Sequence, residues 1–273
     1  MSLGDRMKMY ENTRAVKRVM PLLPVCMRLD GNNFHNFCKG LQKPYDLRLM
    51  TCMQELTKYL MNITGAIFGY TQSDEISLIL YSPVFNSSIF FDGKIDKMLT
   101  ISAAKASVMF NKLLGENDLA KYQERLPIFD NRLWSLPTLE EVSNYIIWRE
   151  QDATRNSIQS AGQRWFSHNQ LHKKSCNEIQ DMLFVDKSVN WNEYPTDFKR
   201  GSYFKRVVTN SKFTTEEISK LPEKHEARLN PELTITRQKI VPLTIDLWTS
   251  YEMSDRISII ADKNFVGGIS NVC

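Results

Sequence analysis

Three carboxylates carry the first suggestion of chemistry. Asp30 closes a short apolar run, Val25-Cys26-Met27-Arg28-Leu29, and is followed at once by Gly31. Further on, Ser73-Asp74-Glu75 interrupts a second pair of apolar segments. Acidic side chains at the ends of neighbouring strands can hold two divalent ions. Such ions activate an attacking oxygen and stabilise a leaving one in phosphoryl or nucleotidyl transfer. Magnesium suits this arrangement, because it takes one or two carboxylates and completes its shell with substrate phosphates. The competing reading is structural: Asp30 caps a turn, and Asp74-Glu75 is a solvated hairpin tip.

The elements around these residues decide whether they can meet. Ser2-Leu3-Gly4-Asp5 has the form of a capping box and predicts an opening helix with Met7, Tyr10 and Arg14, ended by Pro21 and Pro24. Residues 25–29 then read as a buried strand. Residues 32–45 have loop character. Asp46 is placed to cap a helix whose apolar face is Leu49, Met53, Leu56, Leu60 and Ile63, stopped by Gly65. Residues 66–70 and 76–81 predict two strands joined by the acidic turn. Residues 95–114 predict a second long helix. Phe129-Asp130-Asn131-Arg132 then leads into a short strand at 133–136.

This order of strand, helix, strand, strand, helix, strand is the split βαβ, ferredoxin-like arrangement of an α+β domain. Its first and third strands are antiparallel neighbours at the sheet centre. The end of the first strand therefore lies beside the start of the third, which brings Asp30 to Asp74 and Glu75.

Residues 1–137 form the expected catalytic unit, and residues 138–273 an addition packed on it. Thr138-Leu139-Glu140-Glu141 opens a long helix, on which Asp152, Arg155 and Asn156 share a face. Ser175-Cys176-Asn177-Glu178 starts another, running to about Val185. Residues 198–208 predict a strand that interleaves basic and aromatic side chains, with residues 233–243 as its hairpin partner. Lys173, Lys174, Lys199, Arg200, Lys205 and Arg206, with Tyr203 and Phe204, fit either a folded RNA or charged strand edges that deter aggregation.

Composition narrows the class. The 273 residues carry a net charge of +4, which permits a nucleic-acid partner without demanding one. Five cysteines with no Cys-x-x-Cys pair argue against a disulfide framework and a zinc site, and predict a reducing, cytoplasmic setting. No apolar run is long enough for a membrane span, and Met1 to Arg6 lacks the apolar core of a signal peptide. His168 and His172 are spaced for one helix face, but no third ligand accompanies them, so a surface or capping role is expected. The loop Gly31-Asn32-Asn33-Phe34-His35 offers backbone N–H groups to phosphates, as any Gly-Asn turn does. Lys43, Lys94 and Lys97 are candidate phosphate partners, the last two at a helix start.

Arg28-Leu29-Asp30-Gly31-Asn32-Asn33-Phe34-His35, Gln72-Ser73-Asp74-Glu75 and Phe129-Asp130-Asn131-Arg132 resemble, in order, motifs of the tRNA(His) guanylyltransferase family. Trp148-Arg149-Glu150-Gln151-Asp152 and Phe198-Lys199-Arg200-Gly201 resemble its later motifs. The resemblance implies a polymerase-palm-type catalytic domain that extends RNA in the 3′-to-5′ direction. It implies two magnesium ions held by Asp30, the Gly31 carbonyl and Asp74, with Glu75 close by. It assigns Asn32, Asn33, Phe34, His35, Lys43 and Asp46 to the incoming nucleotide. Ser73, Lys94 and Lys97 fall at positions that handle the activating nucleotide. Arg132, Asp152, Arg155, Asn156, Lys199 and Arg200 fall near tRNA. A homo-tetramer that uses ATP and GTP or other nucleoside triphosphates is the implied assembly.

One departure matters. The branch specific for histidine tRNA carries a His-Ile-Asn-Asn run after its Trp-Arg motif, where this chain has Thr154-Arg155-Asn156-Ser157. The chain therefore resembles the like-protein branch, which repairs truncated 5′ ends of several tRNAs against the opposite strand as template. A tRNA(His)-specific guanylyltransferase, a palm-type nucleotide cyclase and a non-catalytic tRNA-binding protein are the alternatives.

Overall fold

The apolar run ending in Asp30 forms strand β1 (Val25–Gly31) at the middle of an antiparallel sheet. The structure is a computed structural model. It describes Leu3 and residues 17–85, 87, 89–230, 232–262 and 264. The opening helix expected on Met7, Tyr10 and Arg14 lies outside the described residues, as does Cys273.

Helix α1 (Leu47–Thr64) begins where Asp46 accepts a hydrogen bond from the Arg48 backbone N–H, and ends at Gly65 with a φ of 74°. Only glycine adopts that left-handed turn at no steric cost. Strands β2 (Phe68–Gln72) and β3 (Glu75–Leu80) make the hairpin that carries the acidic turn. Helix α2 (Ile95–Glu116) leads to β4 (Phe129–Ser135). This strand is longer than expected: Asp130 and Arg132 lie inside it, paired with Asp30 and Arg28.

The long helix α3 (Leu139–Trp165) is capped by the Thr138 side chain, and α4 (Cys176–Lys187) by a reciprocal Ser175–Glu178 box. Strands β5 (Ser202–Lys212) and β6 (Thr234–Leu243) pair as expected. Phe198, Lys199 and Arg200 do not belong to β5. They form a separate helical turn, Thr196–Arg200, and Gly201 at φ 88° turns the chain into the strand. A Cβ at Gly201 would meet the Thr71 carbonyl oxygen at 2.6 Å, which explains the residue. A last helix, α5 (Met253–Ala261), packs against α3.

The sheet order is β4-β1-β3-β2-β5-β6. Its first four strands have the ferredoxin-like order, and β5 joins β2 to extend the same sheet. Helices α1 and α2 cover one face over Val25, Met27, Leu29, Ile76 and Leu78. Helices α3 and α5 cover the other over Cys26, Ile79, Phe68, Tyr70 and Tyr203.

On the α3 face the cross-strand rows change character along β1. Trp134, Cys26, Ile79 and Phe68 form one row; Arg132, Arg28, Ser77 and Tyr70 the next. The last row is Asp130, Asp30, Glu75 and Gln72. The apolar face thus ends in a line of polar side chains at one edge of the core.

The loop after β1 is anchored by volume. Phe34 and Phe37 are buried, and the Phe34 ring lies 5.1 Å from Phe129 and 5.5 Å from Phe110. A Cβ at Gly31 would run into the Phe34 ring. Gly31→Ala should therefore cost about 1–3 kcal/mol by overpacking, read as a lower urea midpoint. Adding Phe34→Leu should recover part of the loss.

Candidate active site

Asp30 and Asp74 occupy the same mouth of the sheet. The β2–β3 turn folds so that the Gly31 N–H donates to the Asp74 carbonyl at 3.2 Å. Ser73 takes a positive φ of 49° at the apex, and its hydroxyl donates to the Asp74 carboxylate at 2.9 Å. Burial pushes the Asp74 carboxyl above its ordinary pKa and the charge of Asp30 adds to the rise, against the Ser73 hydrogen bond. Asp30 is also raised, by burial and then by Asp130, against the pull of Arg28, Arg132 and Arg149. No ion pair closes on either carboxylate among the described residues.

Glu75 is different. Arg149 grips it with two parallel bonds of 2.8 Å, Nε to Oε1 and Nη2 to Oε2, with both side chains buried. Burial raises its pKa, and the Arg149 charge and hydrogen bonds oppose that rise. The sequence grouped three acids; the structure divides them into an open pair and a clamped one. Glu75 works as the anchor for α3 beside the pair. Arg149 also donates to Asp152 at 2.7 Å, and Asp152 gathers Arg155 and Asn156 from its own helix face.

These residues line a cleft of about 430 Å³, walled by Arg28, Trp148, Arg149 and Asn156 and floored by Asp30 and Asp74. Gln72, Ser73 and Asn156 also border a second cavity of about 260 Å³, lined mainly by apolar surface. Lys43, Asp46, Ala153 and Ser157 contribute to its walls. Tyr45 and Phe198 stack at 4.7 Å along it. A charged cleft that opens into an apolar, aromatic-sided pocket has the form of a phosphate site beside a base site.

Asp30 and Asp74 could hold a divalent cation. They are neighbours, half-buried and without an ion pair among the described residues, and the charge of Asp30 raises the pKa of Asp74. Among the described residues no three His, Cys, Asp or Glu side chains converge on one point. Two carboxylates suffice where substrate phosphates complete the shell, which is the usual condition for magnesium.

Other expected residues fall in several places. Ser73 and Lys43 line the clefts. His35 faces a neighbouring basic cleft with Lys43, His168, His172, Lys173 and Lys174. Asn32 donates its N–H to the Ile128 carbonyl, and the Asn33 side chain accepts from Asn36. The Phe34 side chain is buried in the core. Asp46 lines the apolar pocket, but its carboxylate is held by Arg48 and the Gln42 N–H, which keep its pKa low.

Lys94 and Lys97 do not meet the carboxylates within this chain. Ser107 of α2 accepts from the Phe129 N–H at the carboxylate end, whereas Lys94 precedes the opposite end of the helix, roughly 20 Å along its axis. Arg132 is exposed on the edge strand. Lys199 and Arg200 are turned inward: Lys199 donates to the Asn192 carbonyl at 2.6 Å and lies over Trp191. Arg200 bonds the Asp246 carbonyl and faces buried Glu150 at 3.8 Å. The periodicity of a strand, read over what is a five-residue helical turn, hid that arrangement. Asp130, Trp148, Arg149 and the Tyr45–Phe198 stack were missed as site residues. The spacing of Arg149 to Asp152 was the available signal.

An antiparallel palm-like sheet with an open carboxylate pair beside a base-sized pocket defines a nucleotidyltransferase. The family Thg1, tRNAHis guanylyltransferase, matches residues 4–137. The tRNA(His) guanylyltransferase of Saccharomyces cerevisiae is 30% identical over 69% of this chain and 84% of its own. An uncharacterised protein, R259, of Acanthamoeba polyphaga mimivirus is 34% identical over 76% of this chain and 77% of its own. Two solved structures of bacterial tRNA(His) guanylyltransferase (Thg1)-like proteins are similar over most of the chain. The ATP complex gives a TM-score of 0.69 at 40% identity, over 75% of this chain and 88% of that one. The GTP complex gives 0.64 at 31%, over 88% and 91%. The chain belongs to the Thg1-like family of tRNA(His) guanylyltransferases.

Two outcomes follow from the electrostatics. Arg149→Ala leaves buried Glu75 facing only the more distant Arg28, at 4.0 Å among the described residues, and should cost about 3–5 kcal/mol, measured by denaturant unfolding. Asp30 and Asp74 bind protons more tightly folded than unfolded, so stability is lost as pH rises through their native pKa. With a chelator present, Asp74→Asn should be more stable than the parent at pH 7. That gap should close as pH falls through the carboxylate range; a gap that stays constant with pH would contradict the assignment.

Proposed function

We propose that this protein is a template-dependent 3′-to-5′ nucleotidyltransferase that activates and extends the 5′ ends of truncated tRNAs. The observation that carries the reading is the open Asp30–Asp74 pair in a charged cleft that shares Gln72, Ser73 and Asn156 with a base-sized pocket. ATP and GTP or other nucleoside triphosphates are its small substrates on this reading, supported by the bacterial Thg1-like structures solved with ATP and with GTP.

The chain's own residues divide the work. Asp30 and Asp74 would hold two magnesium ions, with the Gly31 carbonyl beside them. Bound there, the ions would lower the charge cost at the transferred phosphoryl group and at the attacking and leaving oxygens. The pocket beside Tyr45 and Phe198 takes the nucleobase. Lys43, on its rim, meets the phosphates. Arg149 and Glu75 keep α3 fixed over the cleft and limit the water that reaches it. A 5′-monophosphorylated end is first adenylylated by ATP. The 3′-hydroxyl of the incoming nucleotide then displaces the adenylate. A 5′-triphosphorylated end enters at the second step.

On this reading Lys94 and Lys97 serve the cleft only across a subunit boundary, which a homo-tetramer would supply. Thr154-Arg155-Asn156-Ser157 supports repair of several tRNAs. The name of the yeast relative favours the narrower alternative, guanylate addition to histidine tRNA.

One assay separates these readings. The protein is incubated with tRNAs lacking their first nucleotide, magnesium, ATP and labelled nucleotides. The proposal expects 5′ extension with the base dictated by the opposing strand. Asp30→Ala and Asp74→Ala should each reduce the rate by about 10²–10³-fold or more. Guanylate added to histidine tRNA alone, irrespective of template, would replace it with the narrower activity. Cyclic nucleotide formed without RNA would point to a cyclase, and RNA binding without product would leave no enzyme reading.

A further inference from the structure

Trp148 stands out in the carboxylate cleft. It is 53% exposed, whereas tryptophan is on average a highly buried residue. It is the aromatic side chain lining the cleft floored by Asp30 and Asp74, and it takes no part in the neighbouring base pocket. Its exposure does not come from a loose position. The Arg149 guanidinium lies 4.4 Å from the ring centre, and Arg149 is itself locked to Glu75 and Asp152. The Arg28 guanidinium lies 5.7 Å from the same ring and 6.0 Å from that of Trp134. Tyr145 packs at 6.1 Å. Trp148 is thus a large aromatic surface on a rigid helix, steadied by two cations and open to the cleft.

We propose that Trp148 is the stacking platform for the terminal nucleobase at the RNA 5′ end. The inference rests on the nucleotidyltransferase reading above. That reaction joins two partners at one carboxylate pair. The nucleotide base has the apolar pocket beside Tyr45 and Phe198, so the RNA end must enter from the remaining side, where Trp148 lies. A duplex RNA end presents one flat π-surface, its terminal base, and aromatic side chains bind such surfaces without regard to sequence. An enzyme that accepts ends differing in their last base pair needs that tolerance. Arg28 borders the same cleft, its Nε buried 4.0 Å from the Glu75 carboxylate, so the cation that steadies the ring is itself held in place.

The test couples the side chain to the base. Binding and 5′ extension are measured for the parent, Trp148→Leu and Trp148→Phe. Each is given duplex-ended RNA whose 5′-terminal nucleotide either carries its base or is abasic. Trp148→Leu should raise the Kd and KM for the intact RNA about tenfold to a hundredfold, with the KM for the nucleotide unchanged. Trp148→Phe should retain most of the affinity. Loss of the terminal base should weaken the parent by a similar factor and Trp148→Leu far less. An equal abasic penalty in the parent and Trp148→Leu would overturn the proposal, as would a rise confined to the nucleotide KM. A parent that binds RNA but extends none would refute the nucleotidyltransferase reading alone, because the binding comparison still decides the role of Trp148.

Discussion

The paired bonds between Arg149 and Glu75 are the constraint on which the site depends. They are the contact that ties the long helix to the last row of the sheet. Their net contribution to stability is modest, since two charges lose water to form them, but breaking them strands a buried charge. That asymmetry makes the helix register hard to change. Once Arg149 is placed, Asp152 and its companions follow by helical spacing, and so does the face that Trp148 presents. The same contact takes one of three neighbouring acids out of play. Asp30 and Asp74 form no ion pair among the described residues, and the surroundings, not the residue type, separate the anchor from the open pair.

The hairpin β5–β6 and helix α5 support this arrangement from further away. Glu150 is buried and accepts the Trp248 backbone N–H at 2.9 Å, with Arg200 facing its other oxygen. Tyr70 donates to the Arg200 carbonyl at 2.6 Å. Lys205, buried in the sheet, donates to the Ser258 carbonyl of α5, and burial lowers its pKa to about 8. Buried polar groups must be bonded or they cost stability. Together these bonds specify how the C-terminal half seats on the palm. The sheet is continuous across residue 137, so the second half completes the α3 face of the first.

Much of this was legible in the sequence. Asp46, the apolar stripe of α1 and Gly65 are local signals, and each behaved as local physics requires. The meeting of Asp30 with Asp74 followed from strand order alone. What stayed hidden depended on contacts between distant segments. A lone arginine on a helix gives no sign that it will clamp a glutamate 74 positions away. An aromatic residue in a polar loop, such as Phe34, reads equally as ligand contact or core until its neighbours are known. Lys199 and Arg200 carry the composition of a nucleic-acid contact, and their heads also bond the Asn192 and Asp246 carbonyls within the chain. Charge is visible in a sequence, whereas the partner that consumes it is not.

The burial of Phe34 has a consequence for how variation in this protein should be interpreted. The loop that follows β1, directly after Asp30, is held by the fit of one ring against Phe110 and Phe129, with no side chain allowed at Gly31. Phe110 is on a helix behind the sheet and lines neither catalytic cleft. Packing interiors transmit strain instead of absorbing it. A change of volume at Phe110 would thus reach the carboxylate end of β1 as a displaced loop. Substitutions that look like matters of core stability would be registered as a shift of the backbone beside Asp30.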